Sequence, residues 1–209
     1  MLFRSDWGNE GHFQYLPVSW PGFVTAAALS WNPDAPVDAV AVIAHHLTGD
    51  GSLAEATVRL GRVDELIRPG VPEAGTLASM LASPSVAPAL AAGGMTNEML
   101  EAADAELAGI AELAGASASA APDASVWAEE LRATAGWMRL SVAMARARLG
   151  WPGAPDADDL AAEHARLVAT HERLWLQRNR RGGLDDSLRR LGAAVPPGAT
   201  EGNDGLDHD

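Results

Sequence analysis

From Thr96 onward the sequence carries three long amphipathic stripes, and these constrain the fold more than anything else in it. In the first, Leu100, Ala103, Leu107, Ile110 and Ala114 recur at spacings of three and four behind Thr96, an N-cap residue with Met99 three positions on. Asp123 stands where it would cap the second, whose stripe is Trp127, Leu131, Thr134, Met138, Val142, Ala145 and Leu149. Its length of about 27 residues corresponds to roughly 40 Å. Asp156 or Asp158 opens the third, with Leu160, His164, Leu167, His171, Leu174 and Trp175 on one face. Gly182-Gly183 supplies a C-terminal stop, and Leu184 to Leu191 forms a last short helix. Short connections between long helices predict antiparallel packing, a three-helix bundle. The run Gly115 to Pro122 reads as a small-residue linker, and the tail from Ala193 has the Pro, Gly and acid content of a disordered segment.

The first half is patterned differently. Seven of the eleven aromatic residues lie between Phe3 and Trp31, among glycines and prolines, as in the wall of a binding pocket. Residues 2 to 7 suit a short strand with a polar tip, and Gly8 and Gly11 then interrupt any regular element. Pro17 and Pro21 predict an extended loop over Leu16 to Phe23, turning at Pro21-Gly22. Val24 to Trp31 reads as a short helix running into a strand at Ala28 to Trp31, closed by Asn32-Pro33. Pro36 opens a helix that stops at Gly49, and Ser52 with Glu55 forms a capping box for another, running through Leu60 and Val63 to Ile67. Residues 72 to 94 read as a short helix plus connector.

Charge and composition narrow the function. The chain has 28 acids against 15 bases, a net charge of −13, and every base is Arg. That field repels nucleic-acid phosphates and favours a neutral or cationic small molecule or a protein as partner. Cysteine is absent, which removes disulfides, thiolate metal sites and Cys nucleophiles. No apolar run approaches the roughly 20 residues of a membrane span, and the N-terminus lacks the basic-then-apolar pattern of a secretory leader. The expectation is a soluble protein off the membrane, leaning toward the cytoplasm with the compartment left open. No P-loop, dinucleotide fingerprint, serine elbow or zinc motif occurs, so the sequence calls for no cofactor and no metal. His45 and His46 diverge by about 100° on a helix, which predicts one buried and one exposed ring rather than a metal pair. His164 and His171 share a face two turns, about 10.5 Å, apart, too far for one ion.

Two separated stretches carry a family resemblance. The first runs Ser5-Asp6-Trp7-Gly8-Asn9-Glu10-Gly11-His12-Phe13, then Leu16-Pro17-Val18-Ser19-Trp20-Pro21-Gly22-Phe23, and ends Ala28-Leu29-Ser30-Trp31. The second is Leu174-Trp175-Leu176-Gln177-Arg178-Asn179-Arg180-Arg181-Gly182-Gly183-Leu184-Asp185-Asp186-Ser187. In order and content they resemble the C-terminal part of glycoside hydrolase family 20, the β-N-acetylhexosaminidases, with departures at Asn9, Glu10 and Phe13 where the family has Asp, Asn and Trp. The resemblance implies a mostly α chain: the last two strands and helices of a (β/α)8 barrel over residues 1–68, a connector over 69–94, a helical bundle over 95–191 and a tail over 192–209. It also implies an N-acetylhexosamine glycan as ligand, hydrolysed with the help of the substrate's acetamido group and an adjacent Asp-Glu pair.

In this reading Asp6 and Trp7 sit where a barrel strand meets its loop, the face on which such sites are built. Asp6 accepts from sugar hydroxyls, Trp7 and Trp31 offer flat apolar faces to the ring and acetamide, and His12 donates to substrate or holds the loop. The catalytic pair itself would lie upstream of Met1. Asp64-Glu65 is the pair this chain has, on an amphipathic helix with no strand before it, and reads as solvated surface. The chain alone is therefore expected not to hydrolyse glycans, and the open barrel edge predicts either a truncated coding sequence or a neighbouring chain, a second copy or a complementing one, that supplies the rest. The alternative is a non-enzymatic acidic helical interaction module with an aromatic N-terminal arm.

Overall fold

The computed structural model describes residues 15–34, 36–71 and 75–192. Those residues are mostly helical and contain no strand. The strand expected over 2–7, the tail from 193, and Asp6, Trp7 and His12 lie outside the described residues. The second expected strand, Ala28 to Trp31, is instead the last turn of α1, which runs Leu16–Trp31. The loop expected over Leu16 to Phe23 is helical too. Pro17 sits in the first turn, where its missing N–H costs nothing, and Pro21 is tolerated inside the helix. An interior proline costs about 3 kcal/mol. Burial of Val18, Trp20 and Val24 against the core offsets it, since a large apolar side chain contributes about 1.5–3 kcal/mol when fully buried.

Four short α-helices follow. α2 spans Ala39–Ile43, opened by the Asp38 carboxylate, which accepts from Ala41 N at 2.9 Å, and it runs into a wide π-type turn over Ala44–Thr48. His45 and His46 both lie exposed on that turn, ring centroids 4.6 Å apart, so neither is buried as the pattern had suggested. Gly49 ends the turn with φ 64°, a conformation glycine adopts freely. α3, Gly51–Leu60, is capped by Asp50 rather than Ser52: its carboxylate accepts from Leu53 N at 2.8 Å. The chain then leaves the helix, and Val63–Leu66 forms a separate 3-10 turn. α4 (Thr76–Ala82) and α5 (Val86–Ala92) occupy the weakly patterned stretch.

The long helices form as the stripes require. α6 is Asn97–Gly115, and all five of its stripe residues are buried. α7 is Ala124–Leu149, and α8 is Ala157–Arg178, capped by Asp156. α9, Leu184–Gly192, folds back on α8. Ion pairs give the directions. Asp104 meets Arg139 and Glu101 meets Arg146, so α6 runs antiparallel to α7; Glu129 meets Arg173 and Gly136 packs on Leu167, so α8 does too. α7 is the hub, touching α1, α3, α4, α5, α6 and α8. The principal core draws on Ile43, Leu53, Met80, Leu107, Ile110 and Leu131, and a second, around Trp137, Met144, Leu160 and Leu167, binds α7 to α8. Where those two helices cross, a Cβ on Gly136 would lie 2.9 Å from Leu167 Cδ2. No helix among the described residues is long and apolar enough to cross a membrane.

Candidate functional site

The two stretches that carry the family resemblance are far apart in sequence, yet Pro17 and Trp20 of the first line one cleft with Arg178 of the second, and residues beside both stretches bond below it. Tyr15, just ahead of α1, is buried, and its hydroxyl lies 2.9 Å from His171 Nδ1 on α8. His171 Nε2 lies 2.8 Å from Ser187 Oγ on α9. A neutral imidazole accepts through one nitrogen and donates through the other. Tyr15 O–H donating to Nδ1, with Nε2–H donating to Ser187, satisfies both. Burial favours that neutral state, lowering the His171 pKa to about 4. It also pushes the Tyr15 phenol well above its ordinary range, with the Glu130 charge adding to the effect.

Beside this chain lies a charged cluster. Glu130 of α7 is fully buried, and its Oε1 accepts from Arg178 Nε at 2.6 Å. Arg178 Nη1 donates to Asp123 Oδ2 at 2.9 Å. Glu130 Oε2 and Arg178 Nη2 are buried without a hydrogen-bond partner among the described residues. Burial pushes the Glu130 carboxyl up, and the Arg178 guanidinium pulls against it. For Arg178, burial opposes the charge but the bonds to Glu130 and Asp123 outweigh it, so its pKa is raised. Asp123 stands at the N-cap position of α7, but its side chain makes no cap bond there; it is turned to Arg178. Arg178 is therefore drawn back into the fold, whereas Arg180 and Arg181 are exposed.

Above the cluster a cleft of about 400 Å³ opens between α1 and α7, lined by Pro17, Trp20, Thr48, Asp123, Trp127 and Arg178 among others. Trp20 and Trp127 stack with centroids 6.5 Å apart and planes 23° from parallel. Trp127 is fixed from behind, its Nε1–H donating to Thr57 Oγ1 at 3.1 Å. The cleft is therefore amphipathic, apolar along the Trp20–Trp127 stack and charged at the Asp123–Arg178 rim.

Of the four binding residues expected from sequence, only Trp31 lies among the described residues. It ends α1 and is 93% exposed, so it closes no pocket there. Asp64 is not solvated surface: its two oxygens accept from Thr76 N at 2.8 Å and Leu77 N at 3.2 Å, capping α4, while Glu65 is exposed. Both oxygens being spent this way, the pair is unsuited to orienting a substrate. Tyr15, Glu130 and Trp20 were not singled out by the pattern. Trp20 and Tyr15 lay within the aromatic-rich stretch, but nothing local distinguished Glu130. Among the described residues no three His, Asp or Glu side chains gather as a metal site would need. No protein-family model, curated protein or solved structure matches this chain.

Proposed function

We propose that the chain is the C-terminal helical part of a glycoside hydrolase family 20-like protein, furnishing one wall of a site for terminal N-acetylhexosamine and not the acid that cleaves it. The observation that supports this reading is the meeting of the two resembling stretches. Tyr15 is joined to Ser187 through His171, and Pro17 and Trp20 share a cleft with Arg178. In this proposal the barrel strands come from outside the described residues, and α1 is a helix packed between them and the bundle. Its 16 residues include no charge, and Leu16, Leu29 and Trp31 face solvent, as suits a helix with a second neighbour.

The test is a calorimetric titration of the chain with N-acetylglucosamine, alongside an assay on a chromogenic N-acetylglucosaminide. Saturable binding that weakens in Trp7→Ala, with no turnover, is the expected result. Turnover by the chain alone overturns the missing acid, and absence of binding overturns the glycan site. A second reading, an interaction module docking through α1, is favoured by the 93% exposure of Trp31. It expects no sugar binding and an association, followed by sedimentation, that Trp31→Glu abolishes.

A further inference from the structure

Five of the chain's 15 cations converge on one trough in a molecule of net charge −13. The trough, about 920 Å³, lies along α7 between α6 and α8. Arg132, Arg139 and Arg146 follow one another along its floor every seven residues, steps of about 10.5 Å. Gly136 and Ala143 between them keep that floor low. Arg166 and Arg173 reach in from the α8 wall.

Three of the five are already matched. Arg139 holds Asp104 through Nε and Nη2 at 2.8 and 3.3 Å, Arg166 holds Glu163 at 2.7 and 2.6 Å, and Arg173 lies 2.6 Å from Glu129. The other two keep hydrogen-bond donors unspent, although Arg146 is ion-paired with Glu101. The Arg146 side chain is only 12% exposed, its closest carboxylate is Glu101 at 3.5 Å, and neither Nε nor Nη2 makes a hydrogen bond. Arg132 is exposed and has no ion-pair partner among the described residues. A guanidinium this deeply placed with donors unspent is costly, and an oxyanion that engages its planar fork removes the cost.

We infer that this trough is a binding site for a small ligand carrying two or more carboxylate or phosphate groups, one seated on Arg146 and another reaching Arg139 or Arg132. Four acids line the trough, the fourth being Asp159, and Glu101 pairs with Arg146, so it is not an excess of positive charge that holds the ligand: it is held by the unspent donors of Arg146 and Arg132, which two separate oxyanions engage. At physiological salt charges farther than about 8 Å are screened. A small ligand in the trough therefore responds to the arginines beside it, whereas a nucleic acid spans the acidic surface as well. This site is independent of the glycan reading.

Calorimetry on the full chain with inorganic pyrophosphate and with citrate separates the phosphate from the carboxylate source: the tighter probe names it. One saturable site is expected. Arg146→Gln should weaken it about tenfold or more, the loss of charge-assisted hydrogen bonds, while Arg62→Gln, exposed elsewhere, leaves it unchanged. Should Arg146→Gln fail to fold, the surface variant Arg132→Gln carries the test, with a loss of several-fold expected. No saturable binding of either probe, or equal binding in the Arg62 variant and both trough variants, overturns the inference.

Discussion

Arg178 holds two carboxylates in unequal surroundings, and the inequality decides what its removal does. Asp123 is largely exposed and returns to water when Arg178 is lost, but Glu130 is fully buried and cannot. Arg178→Met therefore strands a buried carboxylate and is expected to destabilise by about 3–5 kcal/mol. Glu130→Leu leaves Arg178 its second partner and should cost less. The double variant should recover most of the Arg178→Met loss, read from urea midpoints as a double-mutant cycle. If Arg178→Met is no worse than Glu130→Leu, the burial argument is wrong. Little of this was legible beforehand. Arg178 lies within the second resembling stretch, but Glu129 and Glu130 are adjacent and chemically alike. Only the packing of α1 and α8 makes one a half-exposed partner of Arg173 and the other a buried anion.

At the level of elements, α6, α7 and α8 were readable almost to the residue, because a long helix reports its buried face many times over. Thr96 and Asp156 cap as expected, their side chains accepting from Met99 N at 3.4 Å and Asp159 N at 2.8 Å. α1 was misread because two prolines outweigh everything else in a short local window, while the contacts that rescue the helix come from α2, α3 and α7. The change from Ser52 to Asp50 as cap has the same origin: both residue types cap well, and the turn at Gly49 chooses between them. The α7–α8 crossing gives a sharper test. Gly136→Ala regains about 1 kcal/mol of helix propensity while displacing only the tip of Leu167, so its stability should stay within about 1 kcal/mol of wild type. Gly136→Val forces the helices apart and should cost about 2 kcal/mol or more by denaturant unfolding. Equal effects of the two variants contradict the close approach.

The molecule as a whole answers to acid through His171. Its folded pKa is about 4, against 6.5 for the unfolded chain. Below 6.5 the unfolded chain takes up a proton that the folded one refuses until about pH 4. This contribution is thus complete above 6.5 and lost as pH falls through that window, about 3 kcal/mol in all. Glu130, with a raised carboxyl pKa, works in the opposite sense, because its protonation in the folded state relieves a buried charge as the medium acidifies. Urea midpoints of wild type and His171→Asn between pH 7 and 4 should converge as pH falls. Parallel curves would remove His171 from the account.

The connection between α6 and α7 carries one more consequence. Its run of Gly, Ala and Ser resembles a tether, but Ala118 N donates to Asp50 Oδ2 at 3.1 Å and the Ser119 hydroxyl donates to the Thr48 carbonyl. The segment is fastened at its middle to the turn before α3, and Ser119 Oγ in turn accepts from Ala121 N at 3.1 Å. Small residues serve there because they let one backbone pass close beside another. What composition marks as a hinge is a clasp, so the helices before it and after it inherit a common frame.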